Sequence, residues 1–415
     1  MKNGLRIEKI KAMEILNSRG NPTPYVSVRL RCGAVGTASA PSGASRGSHE
    51  ATELLDGDSF RYNGKGVQTA VKIINKLIAP ALEGKSALNL IGIDQALREI
   101  DQTDNFSKIG GNSAISVSVA TAKALARALN LPLFAVLGGV FSCKIPTPMM
   151  NLINGGGHAK NCLDVQEFMV VPNEELEFSA KSRMGAEIYH SLGKIIEGRS
   201  LSTAVGDEGG FGSDVARTTE EAIELIIEAG ENAGYKPYED FRLALDFAAS
   251  DWEKNGVYYF PKNAVSKTKE EMQGFVLSLF RNYPVFSVED PFSETDYSSW
   301  QELTRKAPKD ALVVGDDLFV TNRERLKIGA ELSLANAVII KPNQVGTLSD
   351  AISASSFARE NALTLIASHR SGETAETWIC DVAMAVGAKY IKIGAPCRQD
   401  RTEKYNRFLK LEQMF

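Results

Sequence analysis

The sequence contains little of what marks several common classes of protein. Its 415 residues include only five cysteines, which are scattered, odd in number and without a CxxC pair. This distribution argues against a disulfide framework and against a zinc site, and it is typical of a reducing compartment.

Long apolar runs and a strong net charge are also missing. No stretch approaches the ~20 apolar residues that span a bilayer. The opening segment, MKNGLRIEKIKAMEIL, alternates charged with apolar residues and lacks the apolar segment of a signal peptide. The net charge of −4 does not favour binding to nucleic acid or to an anionic membrane. We therefore expect a cytoplasmic protein with no membrane span and no nucleic-acid partner.

The chain has enough apolar sequence for a large core. Hydrophobic residues make up 43% and charged residues 24%, which is ordinary for a soluble globular protein. The length predicts about two or three domain-sized units. Prolines at positions 146 and 148 interrupt the pattern, and we predict two domains, 1–138 and 139–415.

The first of these domains is predicted to mix strands and helices. Val26, Val28 and Leu30 alternate with polar residues, as in a half-buried strand. Apolar residues spaced three or four apart predict helices over 67–82 and 113–129.

The second domain repeats short apolar runs that each end in a charged or polar residue. The spacings between these ends are 43, 27, 25, 28 and 23 residues. Apart from the first, they approach the ~31 residues of one strand plus one helix in a ~250-residue eight-fold barrel. Thr268 with Glu271 predicts a capping box, and Thr218 with Glu221 predicts another helix start. We predict an α/β fold with a (β/α)8-type barrel. The terminal residues of the runs are Asp246, Glu289, Asp316, Lys341, His369 and Lys392.

These terminal residues should meet at one mouth of the barrel, where such folds carry their chemistry. Asp246, Glu289 and Asp316 would repel one another unless a cation neutralised them. Oxygen ligands alone favour magnesium or manganese over zinc. The alternative is that each carboxylate pairs with a lysine or arginine. Three carboxylates on successive strands favour the metal interpretation.

The other polar motifs have open interpretations. Lys341 pairs with a carboxylate or, if a metal and Lys392 lower its pKa, acts as a base. GDEGG at 206–210 and NGGGH at 154–158 are weak motifs alone, because glycines also simply make turns. SHRS at 368–371 suits a phosphate, a carboxylate or a salt bridge.

Taken together, the motifs resemble the enolase family. They occur in the family's order from about residue 5 to residue 412. The full ordered set of motifs is far more specific than any single motif. They are PSGAS (41–45), QEF (166–168), GDEGG (206–210), SVEDP (287–291), GDD (315–317), KPNQ (341–344), SHRSGET (368–374) and GAPCR (394–398).

The resemblance implies a role for each matching residue. The implied metal ligands are Asp246, Glu289 and Asp316 for a first magnesium and Ser45 for a second. The implied catalytic residues are Lys341 as the base, Glu208 as the acid, and Glu167 and His158 beside it. The implied substrate-binding residues are Lys392 for the carboxylate, Arg370 and Ser371 for the phosphate, and His158, His369, Glu167, Gln166 and Lys341 around them.

The resemblance also implies an activity and an architecture. The fold would be an enolase-type barrel with an N-terminal α+β capping domain. The activity would be that of a lyase, phosphopyruvate hydratase, which reversibly dehydrates 2-phosphoglycerate to phosphoenolpyruvate in glycolysis and gluconeogenesis. It would use two Mg²⁺ ions per site, replaceable by Mn²⁺, in a homodimer or higher homo-oligomer. The alternatives are a paralogue acting on a related phosphonate or phosphoester, and a non-catalytic binding protein that keeps the fold.

Five positions depart from the family's usual pattern. Arg46 and Ile393 stand where threonine is common, and both flank predicted ligands, which is why a paralogue is considered. Leu55 replaces a usual arginine. Tyr25 and Lys410 stand where an acidic residue and an arginine usually pair across the dimer interface, so that particular contact is not expected.

Overall fold

The computed structural model describes residues 3–43 and 49–415. The first part of the chain forms a three-stranded antiparallel sheet with the strand order β1-β2-β3. The strands are β1 (Ile7–Leu16), β2 (Pro22–Leu30) and β3 (Val35–Ser39). Val26, Val28 and Leu30 are fully buried and alternate with more exposed residues, which confirms the predicted strand.

Helices pack against this sheet and against one another, the longest of them against the second and third strands. They are a 3₁₀ turn (Tyr62–Gly64), α1 (Gln68–Ile73), a π-helical segment (Ile74–Ile78), α2 (Ala79–Leu82), α3 (Leu90–Asp101), α4 (Gly111–Leu129) and α5 (Leu133–Gly138). The helices predicted over 67–82 and 113–129 are confirmed. Helix α4 lies so close to β3 that a Cβ on Gly36 would come within 2.1 Å of the Ala120 carbonyl oxygen, so this contact requires glycine.

The second part of the chain forms a closed barrel of eight strands. In chain order they are β4 (Thr147–Asn154), β5 (Glu167–Pro172), β6 (Phe241–Asp246), β10 (Val285–Glu289), β11 (Leu312–Gly315), β12 (Ala337–Ile340), β13 (Thr364–Ser368) and β14 (Tyr390–Lys392). A small sheet separates β6 from β10; its strands are β7 (Glu253–Lys254), β8 (Val257–Phe260) and β9 (Val265–Thr268). This insertion explains the long first spacing of 43 residues.

The predicted (β/α)8-type barrel is confirmed, and one of its strands departs from the regular parallel arrangement. β5 runs antiparallel to both β4 and β6. The connection over 155–166 contains three glycines and forms only a 3₁₀ turn, so it makes a hairpin rather than a helical crossover. As a result, the first residue of β5, Glu167, lies beside Asp246 at the mouth.

Helices surround the barrel, and the predicted starts at Thr218 and Thr268 are confirmed. Thr218 accepts a hydrogen bond from the Glu221 amide, and Thr268 with Glu271 forms a reciprocal capping box. The helices are α6 (Phe178–Gly198), α7 (Thr219–Asn232), α8 (Lys269–Asn282), α9 (Tyr297–Lys306), α10 (Arg323–Leu332), α11 (Pro342–Val345), α12 (Leu348–Glu360), α13 (Trp378–Val386) and α14 (Gln399–Glu412). Among the described residues, no helix combines the length and the apolar character needed to cross a membrane.

The N-terminal domain contacts the rim of the barrel mouth. Ser42 and Gly372 exchange two backbone hydrogen bonds of 2.8 Å. Farther along the interface, the buried carboxylate of Asp94 accepts a hydrogen bond of 2.9 Å from the Ser349 amide. The boundary expected between residues 138 and 139 falls between α5 and β4 and stays a prediction.

Candidate active site

The side chains predicted from the strand ends converge in one pocket at the mouth of the barrel. Each sits at or just after the last residue of its strand, because parallel strands end at the same rim. The lining includes His158, Gln166, Glu167, Glu208, Asp246, Asp316, Lys341, His369, Arg370, Ser371 and Lys392. Glu289 lies directly beneath, in contact with Lys392.

Lys392 is the electrostatic centre of this pocket. Its ammonium group lies 2.7 Å from Glu289, 3.1 Å from Glu167 and 3.2 Å from Asp246, and its side chain is 2% exposed. Burial alone would lower the pKa of Lys392, but the surrounding carboxylates raise it well above the ordinary value. Burial, reinforced by Asp246, raises the pKa of Glu289 well above its ordinary value. The cluster holds more carboxylates than one lysine can neutralise.

Lys341, which follows β12, is paired with Asp316, which follows the neighbouring strand β11. Its ammonium group donates a hydrogen bond to Asp316 Oδ2, while Gln344 donates to the other carboxylate oxygen at 3.0 Å. Thr321 positions both Gln344 and Lys341. Its hydroxyl donates a hydrogen bond to the Gln344 side chain at 2.7 Å and accepts one from the Lys341 amide at 2.9 Å.

Of the two interpretations that the sequence left open for Lys341, the structure shows the pairing with a carboxylate. Burial does disfavour the ammonium form, but the adjacent Asp316 outweighs burial and raises the pKa of Lys341. Burial likewise opposes ionisation of Asp316, and Lys341 overcomes it and lowers the pKa of that carboxyl. Lys341 can therefore release its proton easily only when Asp316 is engaged by another partner.

A second group of side chains surrounds Glu208, which lies on the glycine-rich loop before α7. His369 Nε2 lies 3.5 Å from one oxygen of Glu208, and Asn151 donates to the same oxygen at 3.1 Å. His158 Nδ1 lies 3.7 Å from the other oxygen. Burial opposes ionisation of Glu208, but His158, His369 and Arg401 together hold its pKa well below the ordinary value.

The two histidines act on Glu208 as neutral rings. Burial, followed by the charge of Arg401, lowers the pKa of His369 to about 3. Burial also lowers the pKa of His158. At neutral pH each imidazole can therefore serve as a hydrogen-bond donor or acceptor, rather than as a cation.

Glu167 has the opposite protonation preference from Glu208. Burial and the charge of Glu208 raise the pKa of Glu167 well above its ordinary value. His158 Nδ1 lies 3.6 Å from Glu167 and 3.7 Å from Glu208, so one ring nitrogen faces both carboxyl groups. The two carboxyl groups therefore have opposite preferences, since the surroundings favour the ionised form of Glu208 and the protonated form of Glu167.

The SHRS segment forms the side of the pocket that the sequence predicts to bind an anion. Arg370 contacts Glu50 of the N-terminal domain through two hydrogen bonds of 2.8 and 3.2 Å, and both side chains are buried. Ser371 Oγ lies 3.5 Å from His158 Nε2. A bound phosphate would have to replace the carboxylate of Glu50 on Arg370.

Among the described residues, two groups of side chains at the mouth could hold a metal ion. They are His158 with Glu167 and Glu208, and Asp290 with Asp316 and Asp317. The predicted trio of Asp246, Glu289 and Asp316 is not such a group, because Asp316 contacts Lys341 while Asp246 and Glu289 share Lys392. Glu289 Oε1 is nevertheless buried without a hydrogen-bond partner among the described residues, which fits a site that accepts a cation.

Comparison with known protein families identifies the architecture. A family model described as "Enolase, C-terminal TIM barrel domain" matches residues 142–415, and one described as "Enolase, N-terminal domain" matches residues 7–137. The chain belongs to the enolase family. Family membership makes it a lyase of the enolase superfamily, whose members bind small-molecule substrates and generally depend on a metal.

The pocket also contains residues that sequence reasoning missed. Glu50, Asp290 and Asp317 line the pocket as well. Asp290 and Asp317 lie within the SVEDP and GDD motifs, so the motifs themselves contained the information. Glu50 comes from the other domain and follows no strand, and only its proximity to the PSGAS segment could have indicated it.

Four of the departures from the family pattern fall among the described residues. Leu55 is partly buried in the irregular segment between β3 and the 3₁₀ turn. Ile393 is fully buried in the core outside the barrel, so its side chain is not part of the pocket lining. Tyr25 is half-buried on β2, and Lys410 is exposed on α14. Ser45 and Arg46 lie outside the described residues, so the second metal ligand stays a prediction.

Proposed function

We propose that the chain catalyses the reversible, magnesium-dependent dehydration of 2-phosphoglycerate to phosphoenolpyruvate, in cytoplasmic glycolysis and gluconeogenesis. The observation that carries this proposal is that two groups of side chains meet in one pocket, one suited to accept a proton and the other to donate one. Lys341 with Asp316 forms the first, and Glu208 with Glu167 and two neutral imidazoles forms the second. Removing a proton from one carbon and a hydroxyl group from the next requires such a base and acid.

Lys341 is the proposed base for the C2 proton. In the structure the contact with Asp316 stabilises the ammonium form of Lys341. Lys341 can therefore act as a base once Asp316 binds another cation instead. Lys392 and Arg370 both disfavour the ammonium form of Lys341 and would then lower its pKa. Sites of the enolase superfamily use a lysine or a histidine as the base.

Glu208 is the proposed acid for the departing C3 hydroxyl. The pKa of Glu208 is held low, which favours its ionised form, whereas the pKa of Glu167 is raised, and we propose that Glu167 holds the proton of the pair. Because His158 Nδ1 faces both groups, the proton held by Glu167 is available to the pair when the hydroxyl leaves. Asn151 and His369 fix the orientation of the Glu208 carboxyl group.

Substrate anions would bind to the cations of the pocket. Lys392 would bind the substrate carboxylate, and Arg370 with Ser371 would bind the phosphate, which replaces Glu50 on Arg370. We further propose that the PSGAS loop, whose residues 44–48 lie outside the described part of the chain, closes over the bound substrate and excludes water.

Asp246, Glu289 and Asp316 would hold the first magnesium ion, and Ser45 would help to hold the second. The chemistry fits, because these side chains offer only oxygen donors, which suit a hard cation, and because one buried oxygen of Glu289 has no partner among the described residues. When bound, magnesium would stabilise the negative charge that develops on the substrate carboxylate as the C2 proton leaves. We also propose a homodimer, which light scattering of the purified protein would test.

The decisive experiment follows phosphoenolpyruvate formation with magnesium and with excess chelator, in wild type and in two variants. Lys341→Ala should lose about 10²–10⁴-fold in turnover and also lose exchange of the C2 proton with solvent. Glu208→Gln should lose turnover by a similar factor but keep the exchange, since only the later step needs the acid.

Three results would contradict the proposal. They are full activity in chelator, proton exchange at the wild-type rate in Lys341→Ala, and no dehydration of 2-phosphoglycerate by wild type. In the last case, related three-carbon phosphonates and phosphoesters are the next substrates to assay.

A further inference from the structure

Arg401 of α14 reaches beneath the pocket and contacts two of its loops. The side chain is completely buried, and its guanidinium group donates to the Arg370 and Ser371 carbonyls at 2.7 Å each and to the Asp207 carbonyl at 3.1 Å. It therefore joins the loop after β13 to the loop that carries Glu208. Every one of these acceptors is a backbone oxygen, so they could be explained by structural support alone.

The fourth acceptor of Arg401 is different, because it is the Nδ1 atom of His369. A guanidinium group has five N–H donors and no acceptor. Nδ1 must therefore present its lone pair to Arg401, and in the neutral ring the proton must sit on Nε2. Nε2 is the nitrogen that lies 3.5 Å from Glu208.

We propose that Arg401 is a positioning residue that fixes His369 as the Nε2–H tautomer and so directs an N–H donor at Glu208. Without this constraint, the ring could place its proton on Nδ1 and present a lone pair to the Glu208 carboxylate, which would repel it. The kinetic consequence rests on the proposed role of Glu208, whereas the tautomer itself does not.

The charges around His369 agree with this assignment. Arg401 and Lys404 approach from α14, and Glu208 approaches from the loop before α7. Burial and the two cations oppose formation of an imidazolium ion, and Glu208 favours it less strongly. Lys404 contacts the same loop as Arg401, lying 3.1 Å from Glu373, and provides a matched control.

The test is nitrogen NMR of the enzyme labelled with ¹⁵N-histidine. The chain has only four histidines, so the signals of His369 can be assigned by comparison with His369→Ala. Wild type should show His369 as a single Nε2–H tautomer that does not titrate from about pH 5 to about pH 9. Arg401→Met should populate both tautomers and raise the pKa of His369. Lys404→Met, which removes a buried cation from the same helix, should keep the single tautomer.

Turnover supplies the second measurement. Arg401→Met should lose about 10- to 100-fold in kcat, because a misdirected donor misplaces the acid. In the His369→Ala background the same substitution should cost less than about threefold, since residues that act through one another are not additive.

An Nδ1–H tautomer in wild type would overturn the proposal even if Arg401→Met failed to fold. Full additivity of the two substitutions would also overturn it and leave Arg401 as a support of the loops. Because the tautomer is read without substrate, failure of the proposed dehydration activity would appear separately, in the kinetic assay alone.

Discussion

The interior of the barrel has two layers, a floor and a mouth, built by the same strands from opposite kinds of side chain. We use "floor" for the apolar cluster of Met149, Met169, Val171, Ala244, Phe286, Val314, Ala337, Ile339, Ile366 and Tyr390. On several strands the mouth residue lies two positions farther along the same face, as with Ile339 and Lys341, or Tyr390 and Lys392. Because side chains two positions apart share one face of a strand, an apolar residue of the floor is followed on the same face by a charged residue of the mouth.

The two layers differ in what holds them together. Floor residues exclude water and need only fit one another. Mouth residues are equally buried but charged, and burial of a charge is costly unless it is compensated. Each mouth carboxylate is therefore stabilised by a neighbour, as Lys392 stabilises three of them. Apolar packing in the floor stabilises the fold. This stabilisation offsets the cost of burying charged groups close together in the mouth.

The largest effect should come from removing the central cation of the mouth. Lys392→Met keeps the shape but leaves Glu167, Asp246 and Glu289 without their shared partner, and breaking a buried ion pair in this way costs about 3–5 kcal/mol. Urea unfolding of the metal-free protein measures this cost.

Lys389→Met is the matched control, because Lys389 lies just before the same strand and is half-exposed beside Glu174. An exposed pair of this kind contributes at most about 1 kcal/mol. If the two variants lost equal stability, charge compensation would not distinguish the mouth.

The comparison also shows how much of the site could be predicted from the sequence. Asp246, Glu289, Asp316, Lys341, His369 and Lys392 were identified because one simple rule, that parallel strands end at one rim, brings them together. Gln166 and Glu167 lie at the start of a strand, and their place at the mouth follows only from the reversal of β5. The glycine-rich connection before β5 was the available indication of that reversal.

Pairing within the mouth could not be predicted in the same way. Whether Lys341 contacts Asp316 or Lys392 contacts Glu289 depends on separations of a few ångströms, which no spacing in the sequence encodes. The sequence therefore left both roles of Lys341 open, and the contact with Asp316 raises its pKa. Arg401 was missed for a related reason: it lies on a helix, far in sequence from the loops that it joins.

An intermediate effect should come from the floor. Ile339→Ala removes a fully buried side chain from the apolar layer and should cost about 2–5 kcal/mol of unfolding free energy, while Ile339→Val should cost about 0.5–1.5 kcal/mol. Turnover per folded molecule should change little, because Lys341 two residues later keeps its own partners. A large loss of kcat in Ile339→Val without loss of stability would show that the two layers are not separable.

The smallest effect concerns Asp94, a buried carboxylate outside the barrel that tests whether hydrogen bonds can replace a compensating cation. It accepts hydrogen bonds from Ser349 and Ser118, yet burial outweighs them and raises its pKa from 3.8 to about 6. Because the folded protein binds this proton more tightly than the unfolded chain, the contribution of Asp94 to stability is complete below about pH 4. It is lost as the pH rises through about 6, by at most about 3 kcal/mol.

Asp94→Asn cannot ionise, so its stability relative to wild type should rise between about pH 4 and about pH 6 and then level off. Unfolding midpoints in urea across this range measure the difference. Asp350→Asn, on the neighbouring α12, controls for the loss of a nearby negative charge, and it should not reproduce the profile. A flat difference for Asp94→Asn would mean that two serine partners compensate a buried carboxylate as well as Lys392 does, and that the mouth needs its cation for catalysis rather than for stability.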